Sequence, residues 1–239
     1  MQRDYIDIYC ERTGPEYWSE PINAISNLSF VIAAVFLARV IRKQGGQGRS
    51  DSVPWVLCML IFMIGVGSWL FHTHATVWAL ALDVIPIVLF ILLYTWFALR
   101  RFASAPVWVC AVGVLTVLGV AMAVPALTDF EGGSYIAALL ALLSIGGFLN
   151  FVRSHVAGKV LLLAAAMFFV SLTLRTMDLP LCGEFALGTH FVWHCFNAVV
   201  LFIVGRAMAL YGRGIRFKGP DTPDNGNRRI SPIKQREKT

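Results

Sequence analysis

Five polar side chains lie within strongly apolar stretches of the sequence and could together perform hydrolysis. Ser68, His72 and Asp83 lie in GSWLFHTHATVWALALDVIP, and His190 and His194 lie in THFVWHCFN. On a helix, two residues four positions apart share one face, as Ser68 and His72 do and as the two later histidines do. Burying polar groups among apolar residues costs free energy, so each of these side chains needs a partner or a function.

The three histidines predict a zinc site. Two imidazoles at positions i and i+4 can bind one metal ion, and a third from another helix leaves the fourth position open to water. An open position is typical of catalytic zinc, whereas structural zinc usually has four protein ligands. Zn²⁺ held by His72, His190 and His194 would provide hydroxide at neutral pH, with Asp83 either orienting a ligand or taking the proton of the metal-bound water.

A single buried histidine in a helical bundle is more often a hydrogen-bonded packing residue than a metal ligand. Three histidines at matched depth, in two i/i+4 arrangements beside an aspartate, favour the metal site. By contrast, His74 and His155 are predicted to be loop residues outside it.

The composition predicts an all-α integral membrane protein. Of the 239 residues, 57% are hydrophobic and 14% are charged, and the mean hydropathy is +0.68, whereas soluble domains carry about 25% charged residues. A transmembrane helix needs roughly 20 apolar residues. Seven such spans are predicted, at residues 23–41, 53–72, 78–99, 106–125, 134–152, 157–175 and 189–210. The expected architecture is a bundle of seven transmembrane helices in a multi-pass protein of the lipid bilayer.

The basic residues predict the orientation of this bundle. Those on one side of the membrane are Arg39, Arg42, Lys43, Arg49, Arg100, Arg101, Arg153, Lys159 and the cations from Arg206 onward. Only Arg3, Arg12 and Arg175 lie on the other side. By the positive-inside rule, the N-terminus is outside and the C-terminus is cytoplasmic. The net charge of +6 is therefore a topology signal, and no nucleic acid partner is expected.

Three regions follow from this organisation. Residues 1–22 form an outer N-terminal segment, residues 23–212 form the seven-transmembrane catalytic domain, and residues 213–239 form a basic cytoplasmic tail. The tail is rich in proline, glycine and charge and has no apolar anchors, so it is predicted to be disordered. The expected location is a bacterial inner membrane, or an ER-type membrane in a eukaryote.

Three blocks of the sequence read YCERTGPEYWSEPINAISNLSF, GSWLFHTHATVWALALDVIP and HFVWHC, in this order along the hydrophobic part of the chain. These blocks resemble those of the alkaline ceramidases, a family within a superfamily that also includes the adiponectin-type receptors. The resemblance implies a seven-span, zinc-dependent amidase that cleaves a ceramide-like lipid to a sphingoid base and a fatty acid.

The resemblance also implies a role for each residue of the site. His72, His190 and His194 would be the zinc ligands, and Asp83 would position and deprotonate the zinc-bound water. Ser68 would hydrogen-bond within the site and help to stabilise the developing oxyanion, a contribution of about 2.7–4 kcal/mol for one donor.

The family also has a calcium site formed by acidic residues of the N-terminal segment. The resemblance makes Asp7, Glu11 and Glu20 the candidate Ca²⁺ ligands, since carboxylate oxygens suit this ion. However, the family's Asp-Trp-Cys-Glu-x-Asn run reads DIYCERT here, with Thr13 at the asparagine position. The alternative is a solvated acidic segment without calcium.

The resemblance implies a disulfide bond between Cys10 and Cys182, because the family has a bridge at comparable positions. In the same outer region, Arg175 and Asp178 are three residues apart. We expect these two side chains to form an ion pair at a helix end rather than to take part in catalysis.

Two other functions remain open. The protein could hydrolyse another lipid amide or ester by the same mechanism, because no motif identifies an acyl chain or a head group. It could instead be a heptahelical lipid receptor or binding protein with structural zinc. Asp83 discriminates between catalysis and this last alternative, because a structural site does not need a base beside an open metal position.

Overall fold

The computed structural model describes residues 5–128, 130 and 132–212, and all regular secondary structure in this part of the chain is helical. Seven helical segments are long and apolar enough to cross a membrane. This confirms the predicted seven-helix membrane fold, and each predicted span ends within two residues of the observed one. The predicted disordered tail, residues 213–239, lies outside the described residues.

The α-helices of the described residues are α1 at Pro21–Ser26, α2 at Leu28–Lys43, α3 at Gly46–Ser50, α4 at Ser52–His74, α5 at Val77–Arg101, α6 at Val107–Leu127, α7 at Gly133–Gly147, α8 at Val156–Thr176 and α9 at His190–Tyr211. The first span consists of the short helix α1 followed by α2. The one-turn helix α3 leads into the second span, and a π-helical turn at Phe148–Val152 ends the fifth.

Helices α4 and α5 are packed closely against each other, and the chain reverses between them within two residues. Ala75 ends α4 in the left-handed conformation, with φ of 49°, and α5 begins at Val77. Farther down the pair, Gly67 lies directly against the backbone of α5. A Cβ atom at this glycine would lie 2.1 Å from the carbonyl oxygen of Leu82. The absence of a side chain therefore allows the two helices to approach at the level of Ser68 and Asp83.

The two ends of the bundle differ in character. The N-terminal segment, the end of α4 and the beginnings of α5 and α9 meet at one end, which contains all of the candidate site residues. At the other end, the last turns of α2 and α5 contain basic residues, and Arg101 pairs with Asp51 at an Nη1–Oδ2 distance of 2.5 Å. This is the charge distribution that the positive-inside rule describes. The orientation across the membrane stays a prediction.

Candidate functional site

Three buried histidines from two helices form one compact cluster. His72 comes from the last turn of α4, and His190 and His194 come from the first two turns of α9. Their ring centroids lie 5.2 Å apart for His72 and His190, 4.9 Å for His72 and His194, and 4.5 Å for His190 and His194. Each ring offers one nitrogen within 4.8 Å of the other two. The structure thus brings together the three predicted metal ligands, although nearly 120 residues separate the two helices that carry them.

One nitrogen of each ring is buried and has no hydrogen-bond partner among the described residues. These atoms are Nε2 of His72, Nδ1 of His190 and Nε2 of His194. A buried polar atom without a partner costs free energy, and three of them in one cluster call for a common partner. Imidazole nitrogens are typical zinc ligands, and a set of three leaves a fourth position open. The donor set therefore fits zinc of the catalytic kind.

Two of the imidazoles are oriented by hydrogen bonds from their second nitrogen. Nδ1 of His72 lies 2.5 Å from Oε2 of Glu20, and Nδ1 of His194 lies 2.7 Å from the hydroxyl oxygen of Ser26. Partners of this kind fix the ring orientation and the tautomer of metal-binding histidines. In both rings, the remaining Nε2 atom is the one without a partner, as a metal ligand would require.

His190 is held by its backbone and by aromatic neighbours. Oδ1 of Asp178 accepts hydrogen bonds from the backbone amides of Thr189 and His190, at 2.7 and 2.8 Å, so its side chain caps the beginning of α9. The Tyr9 ring stacks on His190 with a centroid distance of 3.6 Å, and Trp193 lies on α9 with its ring 5.1 Å away. Burial of the phenol in this contact raises the pKa of Tyr9.

Ser68 and Asp83 lie beside the histidine cluster, with their side chains close to one another. Both residues are buried. Asp83 is also close enough to His72 for an electrostatic interaction between their side chains. The contact across Gly67 brings α4 and α5 together at this level, so the carboxylate is held near His72.

The acidic residues of the N-terminal segment have different environments. Both carboxylate oxygens of Glu11 accept backbone amides, those of Ile22 and Asn23, at 2.7 and 2.8 Å. Burial raises the pKa of Glu11. Glu20 is almost completely buried at the start of α1. Asp7, nearer the N-terminus, is half-buried. The sequence suggested Glu20 only as a calcium ligand. In the structure it orients His72, which is a candidate zinc ligand.

The surroundings of Glu20 favour the ionised form of its carboxyl group. Burial alone would raise the pKa of this carboxyl group, but the hydrogen bond from His72 and the charge of Arg12 hold it below its usual value. Arg12 donates from Nε to Oε1 of Glu20, and Asn23 donates to Oε2 at 3.0 Å. The carboxylate therefore has three protein donors.

A disulfide bond between Cys10 and Cys182 connects the N-terminal segment to the loop between α8 and α9, with a Cα–Cα distance of 5.4 Å. This is the predicted bridge. Close to it, the backbone amide of Cys10 donates to Oδ2 of Asp178 at 2.9 Å. The same carboxylate thus binds both the N-terminal segment and the beginning of α9.

An apolar cavity lies deeper in the bundle, next to the polar cluster. Its lining includes Ile64, Ile87, Tyr94, Tyr135, Phe168 and Asn197. Three of these residues lie about one helical turn deeper than a site residue of the same helix. They are Ile64 below Ser68 on α4, Ile87 below Asp83 on α5, and Asn197 below His194 on α9. The polar cluster therefore lies at the head of an apolar cavity.

Three residues of the site were not recognised from the sequence. Ser26 contacts a histidine 168 residues away, and no spacing rule connects such distant positions. The sequence suggested only an ion pair for Asp178, yet its carboxylate caps α9. Arg12 was counted only as one of the few outer cations, although its side chain is fully buried.

Comparison with curated proteins found no match. The family model described as Ceramidase matches residues 8–214, which include most of the N-terminal segment, the histidine cluster and all seven spans. This chain therefore belongs to the ceramidase family.

Proposed function

We propose that this protein is an intramembrane zinc-dependent amidase that hydrolyses ceramide-like lipids to a sphingoid base and a free fatty acid. Family membership supports the class of reaction. The observation that carries the proposal is the cluster of three buried histidines with unpaired nitrogens, beside Asp83 and Ser68. A bundle that needed these histidines only for packing would satisfy their nitrogens with protein partners.

The chain's own residues suffice to hold the metal and to move the proton. His72, His190 and His194 would bind zinc, which when bound supplies a Lewis acid and lowers the pKa of water to about 7. Asp83 then accepts one proton from the attacking water as its oxygen adds to the amide carbonyl carbon. The same carboxyl group gives a proton to the amide nitrogen as the C–N bond breaks, which releases the amine and the fatty acid.

Ser68 has two roles in this scheme. In the resting site its hydroxyl group lies close to the carboxylate of Asp83 and would orient it. As negative charge develops on the carbonyl oxygen, the hydroxyl can donate to that oxygen instead. Removing one such donor costs about 2.7–4 kcal/mol of transition-state stabilisation in well-studied acyl-transfer enzymes.

The apolar cavity supports a lipid substrate. Its walls are formed by α4, α5, α7, α8 and α9, and it starts one turn below the catalytic candidates. An acyl chain in this cavity would place its carbonyl carbon at the level of Asp83 and His194. Because the site lies within the membrane-spanning helices, the lipid need not leave the bilayer to reach it.

We further propose that the end of the bundle with the site faces the periplasm, or the ER lumen in a eukaryote. The basic last turns of α2 and α5 lie at the opposite end, which would be cytoplasmic. The Cys10–Cys182 disulfide at the site end is compatible with an oxidising compartment.

Fatty-acid release measured by mass spectrometry tests the proposed activity. Purified protein in detergent would be incubated with ceramides of several chain lengths and with other lipid amides and esters, alongside Asp83→Asn and a measurement of bound zinc. Release from ceramides that disappears in Asp83→Asn, with zinc still bound, supports the proposal. Release from another lipid would identify a different substrate for the same mechanism. A zinc-bound protein that hydrolyses none of these lipids would favour the receptor-like alternative and contradict the proposal.

A further inference from the structure

The side chain of Arg12 places a positive charge beside the carboxylate of Glu20 in the N-terminal segment. The Arg12 side chain is fully buried, and its Nε atom donates to Glu20. Nη1 donates to the carbonyl oxygen of Gly14 at 3.0 Å, and Nη2 donates to the carbonyl oxygen of His72 at 2.7 Å. All three guanidinium nitrogens therefore bind acceptors of the protein.

The donors around these carboxylates do not fit a calcium ion. Both oxygens of Glu11 accept backbone amides of α1, and those of Glu20 accept Arg12, Asn23 and His72. Calcium takes 6–8 oxygen ligands, so an ion here would have to displace these donors. Among the described residues of this cluster, Oδ1 of Asn23 is the buried side-chain oxygen without a partner. One free oxygen does not make a calcium site.

The sequence departs from the family pattern at the same place. The run DIYCERT has Thr13 where the resemblance would place an asparagine ligand. Asp7, the remaining candidate ligand, has an interaction of its own. The oxygen ligands are thus fewer than the resemblance implied, and a fixed positive charge lies beside Glu20.

We infer that the Arg12 guanidinium replaces calcium in this protein, as the permanent positive charge that holds Glu20 against His72. Arg12 acts on this histidine at two points. It binds the backbone carbonyl of His72 directly, and it binds the His72 ring through the carboxylate of Glu20. A cation beside the last carbonyls of α4 is also favourable for the helix dipole. Arg12 is therefore a positioning residue for a zinc ligand, and the metal site should need zinc but no calcium.

Calcium binding and zinc affinity of the full-length protein test this inference. The variants are Arg12→Asn, Arg12→Lys and, as a matched control, Arg39→Asn, which alters an exposed arginine on α2. Each protein, freed of calcium in detergent, would be titrated with calcium chloride in a calorimeter. Thermal unfolding would be recorded with and without calcium, and zinc affinity would be measured by competition with a chelator. These readouts need no lipid substrate, so they are independent of the proposed amidase activity.

We expect the wild-type protein and Arg39→Asn to show no saturable calcium binding and no change of unfolding temperature on adding calcium. Arg12→Asn should bind zinc about 10–100-fold more weakly, as is typical when a partner that orients a metal ligand is lost. It should also unfold at a lower temperature and gain calcium binding, because Glu20 has lost its counter-charge. Arg12→Lys keeps the charge and should remain insensitive to calcium.

Saturable calcium binding by the wild-type protein, with a rise in its unfolding temperature, would overturn the inference. Arg12→Asn with wild-type zinc affinity and stability in the absence of calcium would overturn it as well. If Arg12→Asn does not fold, the calcium and zinc binding of Arg12→Lys tests the inference. Calcium binding by the lysine variant would contradict the replacement of calcium by a fixed cation, and calcium-independent zinc binding would support it.

Discussion

Oε2 of Glu20 lies 2.5 Å from Nδ1 of His72, although the two residues are 52 positions apart in the sequence. This contact connects the N-terminal segment to the candidate metal centre. It leaves Nε2 of His72 without a partner among the described residues and therefore available to a metal ion. An ionised carboxylate at this position raises the basicity of the ring and fixes its tautomer.

Glu20→Gln should weaken zinc binding and activity by about 10–100-fold. Glutamine keeps the shape of the side chain but removes its charge, which leaves Arg12 buried without its counter-ion. Losing one partner of a buried ion pair typically costs about 3–5 kcal/mol, so the unfolding temperature should fall as well. Chelator competition and thermal unfolding would measure the two effects. Glu16→Gln on the exposed part of the same segment is the control, and equal effects of the two variants would contradict the role of Glu20.

His194→Ala should abolish high-affinity zinc binding and lipid hydrolysis, because it removes one of three candidate ligands. Removal of zinc from the wild-type protein should lower its unfolding temperature, and zinc should restore it, since a ligand of the native state stabilises that state. His74→Ala is the matched control, because His74 is exposed at the end of α4 and packs on Tyr17 and Trp78. Metal analysis of the purified proteins measures the outcome. A His194→Ala protein with full zinc content would contradict the assigned ligand set.

Asp178→Ala should destabilise the protein by at least about 2 kcal/mol, because three backbone amides lose their acceptor. These amides belong to Cys10, Thr189 and His190. Since the last of them begins α9 and offers a metal ligand, zinc affinity should fall in parallel. Thermal unfolding and zinc titration would measure both changes. Glu184→Ala in the exposed part of the same loop serves as the control and should leave both quantities unchanged.

Gly67→Ala should separate α4 from α5. The new Cβ atom would lie 2.1 Å from the carbonyl oxygen of Leu82, and overpacking of this kind typically costs about 1–3 kcal/mol. Displacing Asp83 by about 1 Å from the attacking water should lower the turnover number by about 100-fold. Gly119→Ala on α6 is the control, because a Cβ atom there meets nothing within 4 Å. Turnover of Gly67→Ala close to that of the control would show that the helix contact does not position the carboxylate.

Ala141→Phe should shift the substrate preference towards shorter acyl chains. Ala141 lines the apolar cavity from α7, and a phenyl ring there would occupy space that the proposal assigns to the hydrocarbon chain. Relative to short-chain ceramides, kcat/KM for long-chain ceramides should fall by about tenfold or more. Ala123→Phe, on the exposed face of α6, is the control. An unchanged chain-length profile in Ala141→Phe would exclude this cavity as the acyl-chain site.

The membrane fold and the residue types that are candidates for metal binding were determined by the sequence alone. Spans of about 20 apolar residues can satisfy their backbone hydrogen bonds in lipid only as helices, so composition was sufficient to predict seven of them. Local spacing was equally informative for His190 and His194, because a helix places residues four apart on one face. Antiparallel order then put His72 at the same end of the bundle.

The partners of these histidines were decided only by the tertiary structure. Ser26 with His194, Glu20 with His72 and Asp178 with the amide of His190 are contacts between distant segments, and such pairs have no periodic signal in a sequence. The same holds for Arg12. The distribution of basic residues along the sequence placed it only on the outer side of the membrane, whereas the structure shows its side chain buried against Glu20. The sequence alone identified which residues are candidates to bind metal or move protons. Packing decided which of them are oriented, paired and charged, because burial and distance depend on all the helices together.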